Sequence, residues 1–193
     1  MKPFTKLLSK TLLSSFVAYS SLYGSSHGIY IESAGGIGLS DTIKTTQTSY
    51  VYEQGYLASL SLGYQTDFWR VELQQRYKTD TLYSQSLLGS YNTKIDGKII
   101  NSSQMLNLYY SSGFNTRKLI TSVGIGLGVS SIEFEDSFKE KNILSTQALL
   151  NIGYKINEDF ILLGNYAYFY TFEGDALQKK GDNTFSLALR YNF

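Results

Sequence analysis

The stretch "RVELQQRYKT", residues 70–79, decides the fold: as an extended strand it sets Arg70, Glu72, Gln74, Arg76 and Lys78 on one face and Val71, Leu73, Gln75 and Tyr77 on the other. Alternation of this kind is the period-two signature of a strand with two unlike surroundings. A soluble strand hides its apolar face and shows its charges to water. A strand in a membrane barrel does the reverse, because lipid lies outside and polar groups fill the lumen.

The same period recurs along the chain, and helical spacing is hard to find. Run 28–39 sets Ile29, Ile31, Ile37 and Leu39 against Tyr30, Glu32, Ala34, Gly36 and Gly38. Run 54–65 sets Tyr56, Ala58, Leu60, Leu62 and Tyr64 against Ser59, Ser61 and Gly63. Run 100–112 opposes Leu106, Leu108 and Tyr110 to Ser103, Met105, Asn107 and Tyr109. In 118–132, Leu119, Val123, Ile125, Leu127 and Val129 oppose Ser122, Gly124, Gly126, Gly128 and Ser130. Run 144–156 separates Ala148, Leu150, Ile152, Tyr154 and Ile156 from Gln147, Asn151, Gly153 and Lys155. Run 184–193 separates Phe185, Leu187, Leu189, Tyr191 and Phe193 from Ser186, Ala188, Arg190 and Asn192. The run 160–171, "FILLGNYAYFYT", is apolar on both faces and its phase is left open.

Eight strands result, and the lengths of their connections alternate. Short ones lie near 65–68, 112–117 and 156–159; long polar ones lie near 40–53, 79–99, 133–143 and 172–183. The expected fold class is all-β: an eight-stranded antiparallel up-and-down transmembrane β-barrel with tight periplasmic turns and long external loops. Asp96-Gly97 in the second long connection is a favoured hairpin turn, so the flanking strands are expected to continue as a ribbon beyond the bilayer.

Composition agrees. The one proline is Pro3, which leaves the rest of the chain able to donate to a hydrogen-bond ladder, and the absence of cysteine excludes disulfide scaffolds and Cys-based metal or redox sites. Residues 1–26 read as a signal peptide: a basic start, an apolar stretch and small residues before His27, with cleavage after Ser26 or, alternatively, Ser20. Residues 27–193 are then the barrel domain. Without Lys2, Lys6 and Lys10 the chain carries 14 bases against 16 acids, a net of −2 that does not suggest a nucleic-acid partner.

Three features place the charged faces inside. Tyr and Phe sit near the strand ends of the apolar faces, as membrane-interface girdles require. Glycines interleave the charged faces, leaving room for long Arg and Glu side chains from other strands. Arg or Lys turned to the lipid midplane costs about 2–4 kcal/mol each. The expected lumen network is Glu32, Arg70, Glu72, Arg76 and Arg190, with Glu72 pairing Arg70, Arg76 or Arg190 and Glu32 joining them. Its expected role is to pack and plug the barrel, since an unpaired buried charge is costly. Third, Tyr191 and Phe193 end an amphipathic last strand.

A terminal Phe on such a strand resembles the assembly signal of bacterial outer-membrane barrels. At "GYQTDFWRVELQQRYKT" (63–79), "MLNLYYSSGF" (105–114), "SVGIGLGVS" (122–130) and "SLALRYNF" (186–193), the chain resembles the OmpA-like, opacity-type outer-membrane barrels, a superfamily that includes surface antigens and OmpX-like small barrels. The resemblance implies a place in the bacterial outer membrane, insertion by the barrel assembly machinery, contact with membrane lipid and lipopolysaccharide, and variable loops able to bind a host or cell-surface ligand. It carries over no catalytic residue. The peptidoglycan-binding domain of full-length OmpA is not expected after the last strand.

Other sites weigh little. His27 is the one histidine and precedes the first strand, so a Ser–His mechanism inside the membrane has no base, and the expectation is no enzyme, no cofactor and no metal. "GIGLG" at 124–128 lies mid-strand and departs from the nucleotide-loop spacing. Glu133, Glu135 and Asp136 form an acidic group whose plain reading is a solvated loop. The segments 41–54 and 81–98 are rich in Ser, Thr, Tyr, Asn and Gln, the chemistry of adaptable recognition surfaces. The expected function is a structural or surface-interaction role, adhesion or antigen, through four external loops. A small porin conducting ions or solutes is the alternative, and a soluble carrier with every strand phased backwards is a third.

Overall fold

The computed structural model describes residues 28–40, 43–44, 48–52, 55–87, 90–93, 97–111, 118–134, 138–172 and 180–193. The signal segment 1–26, His27, Asp96, Glu135 and Asp136 lie outside them. The strands are β1 (Gly28–Ser40), β2 (Ile43–Lys44), β3 (Thr48–Tyr52), β4 (Gly55–Gln65), β5 (Trp69–Leu87), β6 (Ser90–Thr93), β7 (Gly97–Ser111), β8 (Leu119–Phe134), β9 (Phe138–Lys155), β10 (Phe160–Thr171) and β11 (Lys180–Asn192). Eight of them close a ring in the order β1, β4, β5, β7, β8, β9, β10, β11 and back to β1, every pair antiparallel. Closure matters because hydrocarbon offers no partner to an open edge.

The alternation along these strands becomes two surfaces. On β5, Arg70, Glu72, Arg76 and Lys78 are buried in the lumen while Val71, Leu73, Gln75 and Tyr77 are exposed on the outside. The phases read from sequence hold on β1, β4, β7, β8, β9 and β11. On β10 the open phase resolves: Ile161, Leu163, Ala167 and Phe169 point inward, and Leu162 and Tyr168 outward. Ile161 and Leu163 form an apolar cluster with Ile120 and Ala188, so one wall of the lumen is apolar and that strand had no polar face to reveal its phase.

Lumen glycines work by space. A Cβ on Gly63 would run into the Tyr30 ring, one on Gly126 into Asn107 and Gln147, and one on Gly38 into Lys78. The room they leave is thus taken by Tyr, Asn, Gln and Lys more than by the Arg and Glu anticipated.

Both described short turns have local causes. Thr66 Oγ1 accepts from Trp69 N at 3.1 Å, and Thr66 N donates to Trp69 O at 2.7 Å. Asn157 Oδ1 accepts from Asp159 N at 3.0 Å and Phe160 N at 2.7 Å, an Asx turn.

Outside the bilayer the strands run longer than expected. β5 continues to Leu87, where β3 and β6 pair with it as a ribbon. Leu87 pairs with Ser90, and Gly97 pairs with Leu82. The anticipated ribbon is thus present among the described residues, while the expected turn at Asp96-Gly97 lies partly outside them. The long connection anticipated at 133–143 is mostly ladder, with Phe134 opposite Phe138. Its register shifts between Ser130 and Ile132, and Asn142 (φ 62°) lies on the opposite strand there, a left-handed position that Asn tolerates.

Candidate functional site: a charged lumen

Four acids (Glu32, Glu72, Asp80, Asp182) and four bases (Arg70, Arg76, Lys78, Arg190) are buried in the lumen, so the described interior is electrically balanced. They form two layers. In the periplasmic layer β1 and β11 set Glu32 opposite Arg190, whose Nη2 and Nε both donate to Oε2, at 2.6 and 3.0 Å. Asn165 Nδ2 donates to the other oxygen at 3.3 Å.

Glu72 in this layer is held without an ion pair among the described residues. It accepts from the Tyr30 hydroxyl at 2.7 Å, Asn107 Nδ2 at 3.0 Å and the Tyr109 hydroxyl at 3.2 Å. Arg70 lies over the Tyr109 ring, its guanidinium carbon 3.7 Å from the centroid, and donates Nη2 to the Asn151 amide oxygen, turned toward it, at 2.8 Å. Arg190 stacks on Tyr30 at 4.5 Å. Cation–π contacts gain strength where water is excluded, which suits guanidinium groups in a lumen.

In the extracellular layer Asp182 is the hub. It accepts from Arg76 Nη2 at 3.0 Å and from Lys78 Nζ at 2.7 Å, and Lys78 also reaches Asp80 at 2.8 Å. Arg76 covers the Phe169 ring at 4.3 Å. Between the layers sits an amide belt: Gln147 Nε2 donates to Asn107 Oδ1 at 2.7 Å and to Gln74 Oε1 at 2.9 Å. A small cavity bordered by Glu32, Gln74, Arg76, Gln147 and Asn165 measures about 20 Å³, room for a single water.

The structure therefore brings Glu32 and Arg190 together and corrects the other pairings. Glu72 meets hydroxyls and amides, because its cross-strand neighbours are Gly63 and Asn107. Arg76 goes to Asp182, within the stretch 172–183 that the alternation alone assigns to a loop. Lys78, on the inward face, belongs to the network beside the five residues expected, and two acids, Asp80 and Asp182, join it. The signal was present: both continue the inward parity of β5 and β11 past the boundaries assumed. Of the acidic group, Glu133 is exposed on β8.

Outside, aromatics collect at the periplasmic rim. Trp69 meets Tyr110 at 5.1 Å between centroids, Tyr191 meets Phe160 at 5.0 Å and Phe193 at 4.9 Å. Tyr191 and Phe193 thus lie in the girdle, with Phe193 N donating to Ile29 O at 3.0 Å.

No family model and no curated protein sequence matches the chain. Solved structures do match in fold. Neisserial surface protein A aligns with 89% of this chain and 100% of its own at 15% identity and a TM-score of 0.67. The outer membrane protein OprG from Pseudomonas aeruginosa aligns with 88% of this chain and 98% of its own at 17% identity and a TM-score of 0.60. Ail, the attachment invasion locus protein of Yersinia pestis, aligns with 89% and 100% at 15% identity and a TM-score of 0.52. With its apolar aromatic-rimmed exterior, charged interior and closed ring of eight strands, the chain has the fold of these small bacterial outer-membrane β-barrels.

Proposed function

We propose that the protein is a surface-interaction barrel: a plugged membrane anchor that presents external segments to a host or neighbouring-cell ligand and has no enzymatic activity. The observation that carries this reading is the filled lumen. Two balanced charge layers and an amide belt occupy the interior, and a cavity between them measures only about 20 Å³. An interior packed in this way favours a role on the outside over conduction through the middle.

The ribbon supports the same reading. β3 and β6 pair with residues of β5 beyond the barrel wall, and their sequences "TSYVY" and "SYNT", with "TLYSQSL" on β5, are rich in Tyr and Ser. Among the fold neighbours, Ail carries attachment in its name, which makes cell binding the first assay to run.

The test replaces residues 43–52 and 83–93 by short Gly/Ser linkers and measures adherence of expressing cells to host-cell monolayers, with planar-bilayer recording on the same proteins. The reading expects adherence to fall and the parent protein to give no channels of uniform size. Uniform open channels from the parent, with adherence unchanged by the deletions, overturn it in favour of a small porin.

A further inference from the structure

The outer wall holds one chemical anomaly. Gln75 on β5 and Gln104 on β7 are direct cross-strand partners, and both are exposed on the lipid-facing side. Gln75 lies six residues beyond Trp69 in the periplasmic girdle. At about 3.3 Å per residue and a strand tilt near 40°, this sets the pair about 15 Å into an apolar band about 25 Å tall. Between the Trp69 and Tyr77 rows of β4, β5, β7 and β8, no other outward residue carries an amide or a charge.

Hydrocarbon cannot hydrogen-bond a carboxamide, and an unpaired one costs free energy there. Hydroxyls on the same surface can find partners in the wall itself, as Thr146 Oγ1 does on Gly126 O at 2.9 Å. The glutamines do so only in part. Gln75 Nε2 donates to Ser102 Oγ at 3.0 Å, which fixes its side chain; among the described residues its Oε1 and the whole Gln104 amide have no partner.

We infer that this wall is a lateral interface between two copies of the chain. A two-fold axis along the membrane normal, passing between β5 and β7, sets Gln75 of one copy against Gln104 of the other. Each Gln104 Nε2 then donates to the partner copy's Gln75 Oε1, and the contact repeats by symmetry, as an isologous interface requires. The carboxamide is suited to this because it is donor and acceptor at once. One row nearer the periplasm, Leu73 and Leu106 are again cross-strand partners, 63% and 54% exposed, so the same axis packs each against the other copy's counterpart. Polar side chains joining membrane segments within close apolar packing is the general way such contacts are held.

The absence of cysteine allows a direct test. Cells co-express Leu73→Cys and Leu106→Cys chains, which leave the glutamines intact, and their outer membranes are oxidised. The expected result is a disulfide-linked mixed dimer, far above the level given by Leu187→Cys on the opposite wall, where the side chain is 68% exposed. Adding Gln75→Leu and Gln104→Leu removes both reciprocal bonds and lowers self-association in lipid nanodiscs roughly tenfold, while the heat-dependent gel shift of a folded barrel is retained. Crosslinking at Leu187 equal to that of the mixed pair, self-association unchanged by the leucines, or a photoreactive group at position 104 that captures lipopolysaccharide and no second chain, each overturns the interface.

Discussion

Arg190→Met tests the lumen most sharply, because it strikes the pair that locks the first strand to the last. The substitution removes two charge-assisted bonds to Glu32 Oε2, at 2.6 and 3.0 Å, and the stacking on Tyr30. Glu32, 4% exposed, is left with the amide of Asn165. Breaking a buried pair by deleting one partner costs about 3–5 kcal/mol, most of it the penalty of the stranded charge. Removing both charges, as Glu32→Leu with Arg190→Met, strands nothing and costs at most about 1–2 kcal/mol. The four proteins form a double-mutant cycle: Glu32→Leu alone strands Arg190 at a similar cost of about 3–5 kcal/mol, so the two single costs together exceed that of the double by at least about 4 kcal/mol. Urea titration of the barrel in phospholipid bilayers reads it, with emission from Trp69 as the probe: it is the chain's single tryptophan and stands 52% exposed at the periplasmic rim. A single-mutant cost below about 1 kcal/mol, or a coupling below about 0.5 kcal/mol, would refute the claim that this pair holds the seam.

Three further outcomes follow from the same geometry. Gly63→Val drives a Cβ into the Tyr30 ring and is expected to abolish the folded, heat-shifting band on gels, while Tyr30→Ala in the same chain restores part of it. Ile125→Arg, on a lipid-facing site 65% exposed, is expected to cost about 2–4 kcal/mol in the urea titration; Ile125→Leu should be silent. Phe193→Ala is expected to lower the amount of barrel in the outer membrane of cells, yet leave refolding of purified protein into detergent unchanged; an equal loss in both would make Phe193 a packing residue and no assembly signal.

The barrel was legible where lipid and lumen enforce opposite chemistry on successive residues. Arg70 to Lys78 could face only one way, and their strand phased the rest. β10 withheld its phase because Ile161 and Leu163 enter an apolar corner of the lumen, so both of its faces are greasy. Strand ends were underestimated wherever the ladder leaves the bilayer. β9 begins at Phe138 and β11 at Lys180, beyond the apolar band, where lipid no longer enforces the alternation. The pairings inside were less legible still. Arg76 and Asp182 are 106 residues apart, and whether they meet depends on the stagger of eight strands, which no local pattern records.

The contact of β1 with β11 also governs the order of events during assembly. β1 gains β4 on one side after a short stretch of chain, but its other edge stays bare until residues near 190 arrive; Glu32 waits across 158 residues for Arg190. Through that interval the nascent sheet offers an unpaired edge and a half-compensated carboxylate to any neighbouring chain, the circumstance in which strands pair wrongly. Closing so long a loop is slow. An escort that masks this edge in transit would remove that hazard, and a chain interrupted anywhere before β11 is left with a seam that nothing of its own can shut.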